Sequence, residues 1–465
     1  MGIFKKVVSA LIVQSTVLSL LSGCVFDQRE QVVISVGNMF YDSLEVEADI
    51  NAIWAKEKEI IRRFEKKYPY IKVIPSTYQY TEDTFVALSA AKQLPTFFRT
   101  WFTEVQKISR AGLAVDLTDV YVKNGYDKDL SEQVRQVVAP DGRYYAFPAD
   151  IYSKGIQVNL KLLEAAGFMK EGVPVIPGTW EELVEMAVVI KEKTGAKGFA
   201  IQSGETYPAW DFMNIAWSYG VKFMEQLPDG SYQATFDSPE MKQAMHLLYD
   251  MRWKYDILLE KELCKEKKTI DHEFLNDRLA FAFSQDNIFD YIRTIDRDCD
   301  YIAKAHSPAG AAGGKELLGG GVYMISSAAT PEQIDACVKW AQFNGYTSDA
   351  NEDAVESWHG LFRSYRELNY TVGIKDPQIW KNTEWNQKYE QVREQYVNID
   401  VENFAEYNDF STVDLVLEEP LYCQELYRIL TIGINEVLES PRCNIDAIIK
   451  KANNDFQNYY LNLTR

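Results

Sequence analysis

The residue types that most often do chemistry are few or badly spaced in this chain. Four histidines occur, His246, His272, His306 and His359, and no two stand at the i, i+2 or i, i+4 spacing that turns both imidazoles onto one metal ion. Gly313-Gly314-Lys315 has the ending of a phosphate-binding loop, but the opening glycine of that pattern falls on Ala309 and Glu316 takes the place of the magnesium-binding hydroxyl. Asp296, Asp298 and Asp300 alternate like the start of a calcium loop, yet Tyr301 stands where the turn glycine belongs and Ser307 where the closing glutamate does. No Gly-x-Ser-x-Gly nucleophile elbow is present. Paired carboxylates stay open, because glycosidases draw theirs from distant positions and this chain has 68 acidic residues. No metal and no cofactor is expected.

Composition narrows the classes further. At roughly 150 residues per domain, 465 residues make about three compact units or two large lobes. Hydrophobic residues at 46% and charged residues at 25% are the balance of a globular protein. A net charge of -19 repels phosphate backbones, so nucleic acid is not an expected partner. The six cysteines, at 24, 264, 299, 337, 423 and 443, lack the close pairs of a zinc site, and buried thiols with one or two disulfides at most are expected.

The elements that must position any site alternate between short β-rich runs and long amphipathic helices. Residues 32–36 form one such run. From Asp49 onward Ile50, Ile53, Trp54, Ile60, Ile61, Phe64 and Tyr68 share one helical face, and Pro69 ends the helix before a second extended run at 71–74. This predicts a β-α-β unit and a largely parallel sheet. Thr179-Trp180-Glu181-Glu182 is a capping box, Gly195 a plausible stop, and Ser238-Pro239 and Thr330-Pro331-Glu332-Gln333 open two further helices.

The first 23 residues read as a targeting segment, with Lys5 and Lys6 ahead of an apolar stretch at 7–21 that is short for a bilayer span of about 20 residues. It ends in Leu21-Ser22-Gly23-Cys24, which resembles the lipobox of bacterial lipoproteins. That resemblance implies cleavage before Cys24, acylation of that residue, a tether over 24–30, and a lipid-anchored place at the cell membrane on its extracellular face.

Six further segments, in order, resemble the extracellular solute-binding proteins of ABC importers, the maltose-binding-like or family 1 group. They are Leu94-Pro95-Thr96-Phe97-Phe98 with Gly112-Leu113-Ala114-Val115-Asp116-Leu117; Asp141-Gly142-Arg143-Tyr144-Tyr145-Ala146-Phe147-Pro148 running into Val158-Asn159-Leu160-Lys161; Gly178-Thr179-Trp180-Glu181-Glu182-Leu183; Thr235-Phe236-Asp237-Ser238-Pro239-Glu240; the run 274–283; and Gly319-Gly320-Gly321-Val322-Tyr323-Met324-Ile325-Ser326. The resemblance covers 31 to about 345. Thr96 replaces the family's usual Asp, and Ser284-Gln285-Asp286-Asn287 lacks the Gly and Trp that commonly follow. It implies an α/β, two-lobed periplasmic-binding-protein-like fold with a hinge and a ligand cleft between the lobes. Lobe 1 is expected to hold 31–148 plus about 309–345, and lobe 2 to hold 149–308 plus 346–465, with crossings near 147–152 and 308–318. The implied partners are ABC permease subunits and a small ligand, the receptor itself being a monomer without catalysis.

Ligands of open α/β sheets bind beyond the carboxyl ends of strands, so the loops after the extended runs are where contacts are expected. These loops carry Asn38, Phe40 and Tyr41; Thr100 and Trp101; Asp150 and Tyr152; Tyr207 and Trp210; and Gln285 and Asn287, while Gly320 allows close approach of backbone to ligand or between lobes. Aromatic rings stack on the C–H face of a pyranose and Asn, Gln and Asp bridge its hydroxyls, so an oligosaccharide is the expected ligand, with Trp101 and Trp210 as stacking platforms. A polyamine, glycerol phosphate or peptide is the alternative in the same fold, and a surface glycan-degrading enzyme the alternative outside it. Nothing near Trp358 and His359 decides between a cleft loop and packing.

Overall fold

The computed structural model describes residues 30–37, 47–284 and 300–464. Strand β1 (Val32–Val36) runs parallel to β2 (Ile71–Pro75), with Val32 beside Ile71, and helix α1 (Glu47–Lys67) crosses between them. This is the β-α-β unit that the spacing predicts. Phe64, fully buried, marks the packed face of α1 and meets Trp340 and Phe343 edge-on at 4.9 and 5.3 Å.

The chain then supplies β3 (Phe97–Trp101), β4 (Ala146–Ser153), β5 (Gly155–Asn159), β6 (Lys197–Ala200), β7 (Leu279–Ser284), β8 (Ile302–Ala305), the long β9 (Lys315–Ile325) and β10 (Asp414–Leu417) to two sheets. The first sheet runs β4-β9-β3-β1-β2, and β10 lies along the opening residues of β9 that β3 does not reach. The second runs β8-β5-β7-β6. Each has its own apolar core, and the boundary between cores is sharp. Ile151 belongs to the first and Ile156 to the second, with Lys154 alone separating β4 from β5. On β9, Leu317 belongs to the second and Leu318 to the first. The chain thus passes from one core to the other at Lys154, just beyond 147–152, and between Leu317 and Leu318, and a third passage, through Tyr407 and β10, accompanies these; the Tyr407 and Ser153 hydroxyls share a hydrogen bond of 2.6 Å.

Helix ends follow the capping chemistry. Thr179 Oγ1 accepts from the Glu182 N–H at the start of α2 (Trp180–Thr194), Glu182 reaches back to the Thr179 N–H, and Gly195 closes the helix at φ 77°. Helix α3 (Tyr207–Ser218) is buried along almost its whole length, and α4 (Pro331–Asn344) starts from the Thr330–Gln333 capping box.

The tail divides differently from expectation. On α5 (Glu352–Glu367) and α6 (Thr383–Glu394), Trp358, Phe362, Trp385 and Val392 pack into the first core with Trp340 of α4, so residues 346–396 build lobe 1 rather than lobe 2. The chain returns at Phe404, which packs with Ala200, Leu279 and Ile302 of the second sheet, and again when α7 (Cys423–Glu439) packs on α3 in the second core. Amphipathic spacing can show that such helices bury a face, and not which lobe it faces. Cys264, Cys337 and Cys423 are buried free thiols and Cys443 is partly buried. Among the described residues no helix is long and apolar enough to cross a membrane.

Candidate functional site

β3 and β4 end beside each other against β9, where the first core gives way to the second. Alternation along β3 turns Arg99 and Trp101 to one face and Thr100 to the other. Thr100 is fully buried, and its Oγ1 has no hydrogen-bond partner among the described residues. The expectation that Thr100 meets a ligand is thereby corrected: strand alternation points it into packing. Trp101 is 43% exposed and stands edge-on to Tyr80, with ring centroids 4.9 Å apart. The Tyr80 hydroxyl donates to Glu104 Oε2 at 2.6 Å, and burial followed by the Glu104 charge pushes its ionisation well above the usual tyrosine range.

Across β9, Asp150 forms an ion pair with Arg99, and its Oδ1 accepts from the Gly321 N–H at 3.1 Å. A Cβ on Gly321 would lie 2.6 Å from Arg99 Nη2, and one on Gly319 would lie 2.5 Å from the Tyr152 ring. At Gly320 it would meet the Asp150 carbonyl at 2.5 Å and the Phe102 ring at 2.6 Å. The Cβ space of Gly320 is thus filled by Phe102 and the β4 backbone, both of the first lobe, rather than by the second lobe.

Tyr152 meets Trp210 at 6.3 Å, and Trp210 meets Tyr207 at 6.1 Å, both edge-on. Tyr207 is 41% exposed, whereas Trp210 is buried. The reason lies beneath it. Lys154 Nζ sits 2.9 Å from the Trp210 ring centroid and 2.5 Å from Asp211 Oδ1, and Lys154 and Asp211 are both buried. Burial pulls the Lys154 ammonium down to about 8 against the raising effect of Asp211. Beyond β10, Glu418 Oε1 accepts from the Tyr427 hydroxyl at 2.6 Å; burial pushes its carboxyl up to about 7 against that bond and against Lys154.

A cavity of about 1050 Å³ opens on this floor. Trp101, Asp150, Tyr152 and Gly320 line it together, Tyr207 and Trp210 connect to it through Tyr152, and Thr100 does not. Asn38, Phe40, Tyr41, Gln285, Asn287 and Cys24 lie outside the described residues. Arg99, Tyr80, Lys154 and the aromatic residues of the tail are additions to the sequence-derived set. Lys154 lies between two consecutive strands and is fully buried, which calls for a buried partner.

Residues 59–382, well over half of the chain, match the family described as bacterial extracellular solute-binding protein. The chain belongs to that family. A probable sugar-binding periplasmic protein of Rhizobium meliloti (strain 1021) is 26% identical to this solute-binding protein over 163 residues, 35% of this chain and 38% of the relative, so well under half of that relative's length is spanned. The GacH receptor of Streptomyces glaucescens, solved unliganded and with acarbose, superimposes with a TM-score of 0.66 at 16% identity over 92% of this chain and 98% of its own. UgpB of Mycobacterium tuberculosis, solved with glycerophosphocholine, does so with a TM-score of 0.64 at 15% identity over 91% and 97%. Likeness at that level shows the two-lobed fold alone, and the fold does not select between two such ligands.

Proposed function

We propose that this solute-binding protein is the lipid-anchored receptor subunit of an ABC importer and that its ligand is a neutral oligosaccharide, bound without chemical change. Anchoring through Cys24 keeps it on the extracellular face of the membrane beside its permease, as a monomer. The carbohydrate reading is carried by charge balance in an aromatic-lined cavity. Three cations, Arg99, Lys375 and Arg393, and three carboxylates, Asp150, Asp376 and Glu390, line it; Arg99 is paired with Asp150 and Arg393 with Glu390. A phosphate receptor needs surplus positive charge and a polyamine receptor surplus negative charge. A neutral ring instead needs an exposed aromatic face, which Trp101 offers, and paired polar groups to orient its hydroxyls. The volume also exceeds the usual range of roughly 300–1,000 Å³ for small-molecule sites, which leaves room for more than one ring.

The test combines processing and binding. Cys24→Ala should move the protein from the membrane to the soluble fraction, and that form is titrated calorimetrically with a panel of neutral oligosaccharides. Binding should be nearly independent of salt, and Trp101→Ala should weaken it by about 2 kcal/mol, more than tenfold. Unchanged affinity in Trp101→Ala removes the stacking role. Steep weakening by salt moves the ligand to a cation, and released product moves the protein to the glycan-degrading enzymes.

A further inference from the structure

The three passages between the lobes meet at one dipeptide, His306-Ser307, just after β8. Ser307 Oγ donates to the Lys154 carbonyl of the first passage at 2.9 Å, and the Ser307 N–H donates to Glu316 Oε2, at the approach to the second, at 2.9 Å. His306 Nδ1 faces the same Glu316 oxygen at 3.1 Å, and its Nε2 faces the Asp409 carbonyl of the third at 3.2 Å. The imidazole is 8% exposed and lies against Tyr407 and Phe410, with ring centroids 5.1 and 5.5 Å away. The other three histidines lie outside the core, His246 and His272 exposed and His359 half-buried.

Both ring nitrogens of His306 thus face acceptors. A neutral imidazole has one N–H and satisfies one of them; the imidazolium donates to both. Glu316 calls for the same charge. It is fully buried, its Oε1 has no hydrogen-bond partner among the described residues, and a buried carboxylate needs an opposite charge in contact. Among the described residues the carboxyls of Glu406 and Asp409 also act on the ring electrostatically, and Lys304 holds its Nζ 3.8 Å from the centroid of the same Tyr407 ring. Acids outnumber the cation around His306, which favours a positive ring.

We propose that His306 is a proton-sensitive pin of the hinge. As the imidazolium it ties the third passage to the other two. On deprotonation the Nδ1–H stays with the Glu316 carboxylate and Nε2 gives its proton to solvent, which leaves two acceptors facing each other at Asp409. Asn408 and Phe410, on either side of Asp409, line the cavity, and Asn408 Oδ1 accepts from the N–H of Lys375, which lines it too, at 2.8 Å. Raising the pH therefore loosens one wall of the cavity. The inference is independent of the carbohydrate reading.

Nitrogen NMR of the histidine rings and amide hydrogen exchange, both on the Cys24→Ala protein without ligand, test it. At about pH 5.5 both His306 nitrogens should carry protons, and at about pH 8.5 Nε2 should be bare. Exchange of the amides in 404–412, corrected for its intrinsic pH dependence, should become about tenfold faster over the same change. His306→Gln identifies the ring signals by their loss and should exchange fast at both pH values; in Glu316→Gln, which deletes the counter-charge, the ring should be neutral at both. Thermal unfolding checks that the variants fold. If His306→Gln does not, replacing His246, His272 and His359 by Gln leaves His306 as the one ring observed, and exchange in that protein decides. A ring that is neutral at about pH 5.5, protection of 404–412 that is equal at both pH values, or a His306→Gln protein with the parent's pH dependence overturns the pin.

Discussion

A fully buried lysine is tolerated at position 154 because Asp211 lies 2.5 Å from its Nζ and the face of Trp210 lies 2.9 Å away. Such a pair contributes little net stability, since removing two charges from water offsets their attraction, but breaking it strands one charge in the core. Lys154→Met or Asp211→Asn should therefore destabilise the fold by about 3–5 kcal/mol in urea denaturation, and the double variant Lys154→Met/Asp211→Leu by much less. Additive losses would show that the two groups do not act as a pair. The same contact revises what Trp210 can report. From sequence, an indole at the cleft mouth supports little of the core; in the structure Trp210 is 9% exposed and covers the ammonium. Truncating it should lower stability, so the exposed Trp101 is the cleaner probe of stacking.

At the level of elements, β9 couples the two lobes. Its Gly319-Gly320-Gly321 run lies where β3 and β10 point their carboxyl ends at each other along one edge and β4 passes on the other. The three glycines are not equivalent. A methyl group at Gly321 presses on a flexible guanidinium, whereas at Gly320 it presses on the β4 backbone and on the buried Phe102 ring. Gly320→Ala should cost about 1–3 kcal/mol and Gly321→Ala less, measured by chemical denaturation. A larger loss at Gly321 would contradict the steric account. A run of glycines was legible in the sequence as a place of close approach. What approaches it was not, because Asp150 and Phe102 come from segments 170 and 218 positions from Gly320.

Taken whole, the molecule holds its lobes together by a strand-thin hinge and by an ionic cluster. Glu82 accepts from Lys107 at 2.7 Å and from Arg428 across the lobes, and Lys107 lies 3.6 Å from Glu425. Burial pushes the Glu82 carboxyl up, but hydrogen bonds from Lys107 and Arg428 outweigh it and hold the group well below the usual carboxylate range. Arg428 and Lys107 are exposed enough that such pairs are worth no more than about 1 kcal/mol each, a strength that ligand binding can match. Small-angle scattering should show a larger radius for unliganded Arg428→Ala than for the unliganded parent, and a smaller radius for both on adding ligand. Identical radii in all four samples would mean that neither the cluster nor the ligand sets the lobe angle.

Local chemistry was enough to determine much of this protein from its sequence. The β1-α1-β2 unit, the caps at Thr179 and Thr330, the stop at Gly195 and the ordered motifs of the family are set by neighbours within a few positions, so periodicity and spacing reveal them. Strand ends also located Trp101, Asp150 and Tyr152, which share one cavity. The tertiary structure alone decided the rest. Thr100 and Trp101 are adjacent in sequence, yet one is sealed in the core and the other exposed. Arg99 finds Asp150 and Lys154 finds Asp211 across 51 and 57 positions, and the tail helices lend their aromatic faces to lobe 1. A sequence records which side chains must be buried or paired, because that follows from each residue's own solvation; it does not record with which partner, because that follows from how distant segments meet.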